Sequence, residues 1–580
     1  MNTTGARLLA AAVALGGAAL IAWYCTELPA EGLPVALVLL AALVWSTVAF
    51  TLNTVVGGGH SRPDPNDATA SATDDDVTVV VVATGDDPDE VVRTSAALAQ
   101  AAGPVVLVDL SASPRHGLAS ALGVLLAEGD GEQGAIDAAL TAVTTPCVTV
   151  VRARACVVAD ELRAAAGRVV GDTGWVTGRT EVYNDDGFSP AYGHSIGDAL
   201  RDRARRNGIP LWAPDATVMR TEAAVAAGGF RPDRPWGSVL RRMAAAGFRG
   251  TTHPGVLTAI AAPAEAEPFW RIRVSEARAD VSEATDVVVS PGMHGSRAWA
   301  ARASAAGLVM RDLRGWVILA WMLAFGAVAA TGVAPVASQV WLWTGLVVVY
   351  AAARGLVTAL QCGMLSDADT ELEGIVYEFP ISLSSTAGIA RRSAPIRPVS
   401  QMASLVPSRL LVWSSLLLSV CLALGVVELT GAIAVESNAQ QPWGIAGCMA
   451  LITAFCAGIW RAGHLRRSGR ASFRFPLALP AAVAGHECVT EDVSPGGMRV
   501  RGALGTLSVG DTIEVEVHTS VRVHTLQAGV RWTYADGDES VAGLALVMAD
   551  HDLAEWTRTV FTAADVLRPQ AAAPAALTSP

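Results

Sequence analysis

Two clusters of residues near the C-terminus gather arginines, a carboxylate, a hydroxyl and glycines, types able to bind anionic and polar groups. Arg466-Arg467-Ser468-Gly469-Arg470 is followed about twenty residues on by Asp492-Val493-Ser494-Pro495-Gly496-Gly497. Guanidinium groups pair bidentately with phosphate and stack on aromatic faces. An Asp-x-Ser turn presents a carboxylate and a hydroxyl to base edges, and glycine lets backbone approach the ligand. Other clusters are weaker. Asp74-Asp75-Asp76 ends a polar stretch and reads as a solvated linker end, and Asn184-Asp185-Asp186-Gly187 reads as a turn. His486-Glu487-Cys488 lacks further ligands at zinc spacing, and Arg391-Arg392 suits topology or lipid headgroups.

The elements that must position the two clusters are β-rich. Pro476 stands where a first strand would start after the arginines, and Met498-Arg499-Val500 follows the Asp-x-Ser turn. Residues 507–517 alternate apolar and polar types and predict a half-buried strand. Val530-Arg531-Trp532 and Gly543-Leu544-Ala545-Leu546 predict two more strands, with a short helix near 551–565.

The rest of the chain is of another kind. It has 580 residues, 52% of them hydrophobic, which is too apolar and too long for one soluble domain. All 42 basic residues are arginine, and the net charge of −12 argues against general nucleic-acid binding. The eight cysteines show no paired spacing, as expected of packing residues rather than a disulfide or zinc framework. Six apolar runs are long enough to span a bilayer, at about 7–25, 33–53, 316–335, 337–353, 410–430 and 443–460. Loops 26–32 and 431–442 contain no arginine, whereas 354–409 carries Arg354, Arg391, Arg392, Arg397 and Arg409, and 461–470 carries four more. The positive-inside rule then predicts a multi-pass membrane protein with both termini and the 57–315 segment in the cytoplasm.

From Val77 the pattern becomes α/β. Residues 78–82, 105–108 and 148–151 are continuous apolar runs of strand length, separated by helical stretches at 89–102 and 132–143. Such alternation predicts a parallel, doubly wound sheet, which binds ligands at the carboxyl ends of its strands. The segment 57–76 reads as a linker and the Ala/Pro-rich tail as disordered.

The Arg-x-x-x-Arg run with the later Asp-x-Ser-x-x-Gly resembles the PilZ domain, the bacterial receptor module for cyclic di-GMP. The order of parts resembles bacterial cellulose synthases, with their family 2 glycosyltransferase domain of GT-A-like fold. Echoes include Val182-Tyr183-Asn184-Asp185, Gly228-Gly229-Phe230 and Gly247-Phe248-Arg249. The resemblance divides the chain into two transmembrane helices (1–56), a linker (57–76) and an α/β transferase-like domain (77–312). Two more helices (313–353), a cytoplasmic gating-like loop (354–409) and a third helix pair (410–460) follow. A PilZ domain (461–568) and a disordered tail (569–580) complete it.

The resemblance also marks where catalytic residues should lie, and there the chain departs from it. Asp109 sits where the family contacts the uridine nucleotide. The family's metal-binding Asp-x-Asp falls on Arg152-Ala153-Arg154, so cations replace both ligands of a hard metal, and a metal is not expected. The base position falls on Arg234-Pro235-Trp236, with Asp233 near enough to substitute after a small shift. His294-Gly295-Ser296-Arg297-Ala298-Trp299 only echoes the acceptor platform. Phe379-Pro380-Ile381-Ser382-Leu383-Ser384-Ser385 stands at the gating loop with serine for its cation, and it also fits an ordinary amphipathic loop. Arg152 and Arg154 could instead neutralise a diphosphate directly.

These readings predict a cyclic di-GMP-responsive membrane protein with a degenerate, non-catalytic transferase domain that regulates or supports exopolysaccharide synthesis. An active polysaccharide synthase or other envelope protein is the expected partner, besides the bilayer. Cyclic di-GMP would be an allosteric ligand held by Arg466, Arg467, Arg470, Asp492, Ser494 and Gly497. The alternative is an active processive UDP-sugar transferase, independent of metal, under cyclic di-GMP control. A scaffold whose barrel binds protein instead of nucleotide is a third reading.

Overall fold

The computed structural model describes residues 3–30, 33–56, 76–83, 89–111, 115–127, 131–183, 196–206, 209–231, 236–260, 266–289, 296–331, 336–337, 340–362, 381–383, 385–386, 474–519, 522–536, 539–547 and 550–564.

Apolar runs, charged only at Arg7 in the first, form the first two helices, α1 (Thr3–Thr26) and α2 (Leu33–Thr51), and α2 continues into a π-helical turn, Leu52–Val56. Among the described residues two helices, Leu8–Thr26 and Leu33–Thr54, are long and apolar enough to cross a membrane.

The valine-rich runs become buried strands alternating with helices. These are β1 (Val77–Ala83), α3 (Asp89–Ala99), β2 (Val105–Asp109), α4 (His116–Leu122), β3 (Leu125–Ala127), α5 (Gly131–Ala142) and β4 (Cys147–Arg152). There follow β5 (Ala155–Val157), α6 (Ala159–Ala166), β6 (Thr173–Val182), α7 (Ile196–Arg206), β7 (Thr217–Arg220), α8 (Thr221–Ala226), α9 (Ser238–Ala245) and β8 (Arg249–Ile260). They build one eight-stranded sheet in the order β3-β2-β1-β4-β7-β6-β8-β5. β3, β2, β1 and β4 are parallel, as the alternation predicts. The other half is mixed, because β7 runs antiparallel to β4 and β6, and β5 antiparallel to β8. The all-parallel expectation is therefore corrected. Short reversals such as β4–β5 leave too little chain for the helical crossover that parallel pairing needs. The order reverses around β1, with β2 on one side and β4 on the other, which opens a crevice at their carboxyl ends.

Helices α10 (Ala266–Val289), α11 (Ser296–Asp312), α12 (Arg314–Thr331) and α13 (Val340–Cys362) come next. Hydrogen bonds from Trp45 Nε1 to the Met310 carbonyl and from Asn53 Nδ2 to the Gly307 carbonyl tie α2 and its π-turn to α11. Tyr350 donates to Thr47, Trp343 packs on Tyr24 and stacks on Trp321, and so α12 and α13 join α1 and α2. The expected spans at 316–335 and 337–353 are thus largely helical. A shorter apolar stretch, Gly345–Thr358, lies within α13. The expected spans at 410–430 and 443–460 lie outside the described residues.

The C-terminal strands are β9 (Pro480–Val483), β10 (His486–Ser494), β11 (Gly497–Gly502), β12 (Thr512–His518), β13 (Val523–Asp536) and β14 (Glu539–Val547). They close a barrel in the order β10-β11-β14-β13-β12-β9, on which α14 (Asp550–Ala563) packs through Trp556, Val560 and Phe561. Closure leaves the barrel no open edge. The strand expected over 507–517 starts only at Thr512. Asp511 accepts the Ser508 N–H, and Gly510 adopts φ 98°, so 507–511 form a turn.

Candidate functional site

Two places in the fold collect the residues singled out above. The first is on the barrel. β10 and β11 form a tight hairpin in which Ser494 pairs with Gly497, and a bulge between Thr490 and Asp492 re-aims the strand before it. Gly497 is required here, since a Cβ would sit 2.5 Å from the Leu544 carbonyl oxygen. The Ser494 hydroxyl is buried and donates to the Gly497 carbonyl (2.9 Å), so it stiffens the turn. The Ser494 carbonyl accepts the Trp556 indole N–H, which fastens the hairpin to α14.

Asp492 is the charged centre of this site. Its carboxylate accepts Arg474 Nη1 at 2.8 Å and pairs with Arg499 Nε at 3.3 Å. Arg499 also pairs with Glu491 at 2.7 Å. Across the sheet Asp492 pairs with Arg499, Arg499 with Gly543, and Gly543 with Trp532, so four strands contribute one continuous row. The missing side chain at Gly543 makes room for the Trp532 indole, which a Cβ there would overlap. Trp532 stacks on Tyr534 (5.8 Å, 16°), and both remain substantially exposed, at 38% and 51%. An acid, two arginines and an uncovered aromatic face together suit a ligand with phosphates and planar bases.

Of the six ligand residues expected on this domain, the structure brings Asp492, Ser494 and Gly497 together. Arg466, Arg467 and Arg470 lie outside the described residues. Sequence reasoning missed Arg474, Arg499 and Trp532 as members of the site. Trp532 was read only as a strand residue, and the signal that places it is the strand register.

The second place is the crevice at the carboxyl ends of β1, β2 and β4. Asp109 ends β2 with its carboxylate turned into its own loop. It accepts the N–H groups of Ser111 (3.0 Å) and Arg115 (2.8 Å) and the Arg115 guanidinium (2.9 Å). Arg152 ends β4. Its N–H and guanidinium both bind Asp215, at 2.7, 2.8 and 2.5 Å, and Nη1 binds Glu276 of α10 at 2.5 Å. Asp215 holds a left-handed backbone, φ 60°, in which a non-glycine residue is strained. Arg152 thus bridges two carboxylates from different elements. Arg154 lies half-buried in the turn between β4 and β5. Trp236 packs edge-on against Trp212 (6.1 Å) and Phe230 (5.7 Å), and Asp233 lies outside the described residues.

Sequence reasoning also missed two buried carboxyls on α10. Burial pushes Glu283 up to about 7, against the Arg241 charge, and Asp280 up to about 6, against Arg201. Glu283 accepts the Trp212 N–H (3.2 Å), and its Oε1 fills the space that a side chain at Gly237 would take. Arg201 pairs with Asp280 (3.2 Å) and Asp312 (2.8 Å), and Arg241 with Asp286 (2.6 Å). No group of three or more His, Cys, Asp or Glu able to hold a metal occurs among the described residues.

Part of the segment expected as a gating loop lies within the described residues. Ser382 accepts the Gly315 N–H (2.7 Å) and donates to the Asp312 carbonyl, and Ser385 donates to the same carbonyl (3.2 Å). Trp316 Nε1 donates to Thr386 (2.6 Å). The hydroxyl positions of this segment fasten it to the α11–α12 corner.

Comparison with curated proteins finds no match. Among solved structures, a mannosyltransferase from Pyrobaculum calidifontis in complex with GDP-Man and Mn2+ is similar over 61% of this chain and 98% of its own. The identity is 16% and the TM-score 0.45. Residues 464–561 match the PilZ domain family. With its closed barrel and its Asp492-x-Ser494-x-x-Gly497 hairpin, the C-terminal region is a PilZ domain, a cyclic di-GMP-binding module.

Proposed function

We propose that this protein is a cyclic di-GMP reader in a bacterial inner membrane, whose transferase-like α/β domain regulates or supports exopolysaccharide synthesis without catalysing sugar transfer. Asp492 and the row behind it carry the ligand half of the reading. Arg466, Arg467 and Arg470 would take the phosphates, Asp492 the base edges, and Trp532 a base face, with Arg499 positioning the Asp492 carboxylate. The Arg152–Asp215–Glu276 bridge supports the non-catalytic half, since a guanidinium already bound to two carboxylates is poorly placed to clamp a diphosphate. Asp109, held by its own loop, supports it too. Six membrane spans, cytoplasmic termini and the domain limits given above belong to this proposal. Reporter fusions after residues 56, 353 and 460 test the topology: all three should report cytoplasm, and a periplasmic signal at any of them contradicts it.

A second reading, sugar transfer, is favoured by one observation. Glu283, with a carboxyl that exchanges its proton near neutrality, fills the space beside Gly237, next to the position where a base is expected. Turnover of a UDP-sugar abolished by Glu283→Gln would establish it. Binding of cyclic di-GMP without turnover of any UDP-sugar supports the first reading.

A further inference from the structure

The ligand hairpin and the α/β domain meet at three aromatic rings. Phe475 stands next to Arg474 in the chain, and Val493 next to Asp492. Phe475 and Val493 exchange both backbone hydrogen bonds, at 2.8 and 2.9 Å, so the two short segments form one ribbon. Because neighbouring side chains in an extended ribbon alternate faces, Arg474 and Asp492 pair on the ligand side while Phe475 and Val493 point inward. Phe475 is 4% exposed. Its ring meets Phe561 of α14 (5.1 Å, 72°) and Tyr183, the residue after β6 (5.8 Å, 33°). Tyr183 and Phe561 close the triangle at 5.3 Å and 77°. Around it Leu98, Cys156 and Ala259 of the α/β domain join the barrel core, and the Arg558 guanidinium donates twice to the Ala97 carbonyl.

We propose that the Tyr183–Phe475–Phe561 triangle is the joint through which occupancy of the Asp492 site is reported to the α/β domain. The inference rests on the reading of Asp492 as a cyclic di-GMP residue. A ligand that takes the Asp492 carboxylate displaces Arg474, whose guanidinium holds it at 2.8 Å. Arg474 and Phe475 are consecutive, so release of the first loosens the ring wedged against Tyr183. Ligand capture and ring packing therefore oppose each other. By reciprocity, the factor by which the ligand weakens the packing is the factor by which loss of the packing strengthens ligand capture.

The test is calorimetric titration of cyclic di-GMP into the purified full chain, wild type against Tyr183→Ala and Tyr183→Phe. Tyr183 meets the ribbon through the Phe475 ring, on the face opposite the Arg474–Asp492 pair, so its loss leaves the ligand contacts in place. A coupling of ordinary size makes Tyr183→Ala bind about fivefold tighter or more, while Tyr183→Phe, which keeps the ring, stays within about twofold of wild type. Equal or weaker binding by Tyr183→Ala, in a variant whose melting curve shows it folded, overturns the joint. Tighter binding by Tyr183→Phe as well would overturn the role of the ring. If wild type itself takes up no cyclic di-GMP, the ligand reading fails, and that result is distinct from wild-type binding with no coupling.

Discussion

Replacing Arg152 by alanine separates a structural arginine from a ligand clamp. The substitution removes the guanidinium from Asp215, whose side chain is 1% exposed, and from Glu276, at 15%, which also pairs with Arg273 at 3.1 Å. Removing one partner of a fully buried pair costs about 3–5 kcal/mol. The Arg152 side chain is 26% exposed, so water screens part of the attraction, and we take about 2–3 kcal/mol. At about 2–4 °C per kcal/mol for a domain of this size, the α/β domain should melt about 4–12 °C lower. Tryptophan fluorescence at a fixed scan rate reads it, because Trp175 and Trp212 are buried in that domain. The double variant Arg152→Met with Asp215→Asn removes both charges and should cost at least about 1 kcal/mol less than the sum of the singles. An Arg152→Ala protein that melts within about 1 °C of wild type, yet loses a UDP affinity that wild type possesses, would refute the argument and make Arg152 a diphosphate clamp.

Three further outcomes are expected. The folded state holds protons on Asp280 and Glu283 that the unfolded chain releases, so stability should fall as pH rises from about 4.5 to about 7. Glu283→Gln should flatten that part of a melting-temperature profile, and an unchanged profile would show that the carboxyl does not carry the proton. Trp532→Ala should weaken cyclic di-GMP binding about fivefold to 100-fold, the worth of one stacked base, with the barrel still folded; an unaltered affinity would remove Trp532 from the site. Titration of UDP into protein saturated with cyclic di-GMP should give no binding heat with or without Mg²⁺, and Mg²⁺-dependent binding would count against the non-catalytic reading.

The sequence and the fold agree where one short-range signal decides the outcome. β1, β2 and β4 are unbroken valine-rich runs, buried throughout apart from the half-buried end at Arg152, and nothing but a central strand suits them. β7, with its polar ends Thr217 and Arg220, gave no such signal, and the mixed half of the sheet was lost with it. The turn at 507–511 reads as strand because its apolar and polar residues alternate, although Gly510 and Asp511 favour a reversal. The Asp-x-Ser-x-x-Gly hairpin was legible because its residues are adjacent and its turn is local. The partners of Arg152 were not, since Asp215 and Glu276 lie 63 and 124 positions away and only the sheet and α10 bring them to it. Trp532 joins Asp492 through three strand registers, which no local pattern encodes.

The most direct test of the account is calorimetric titration of cyclic di-GMP into the detergent-purified protein, alongside Asp492→Ala and the double variant Arg466→Ala with Arg470→Ala. The account predicts saturable binding by wild type and at least about a tenfold loss in each variant, the worth of one charge-assisted contact. Absence of binding by wild type, or equal affinity in all three proteins, would contradict it.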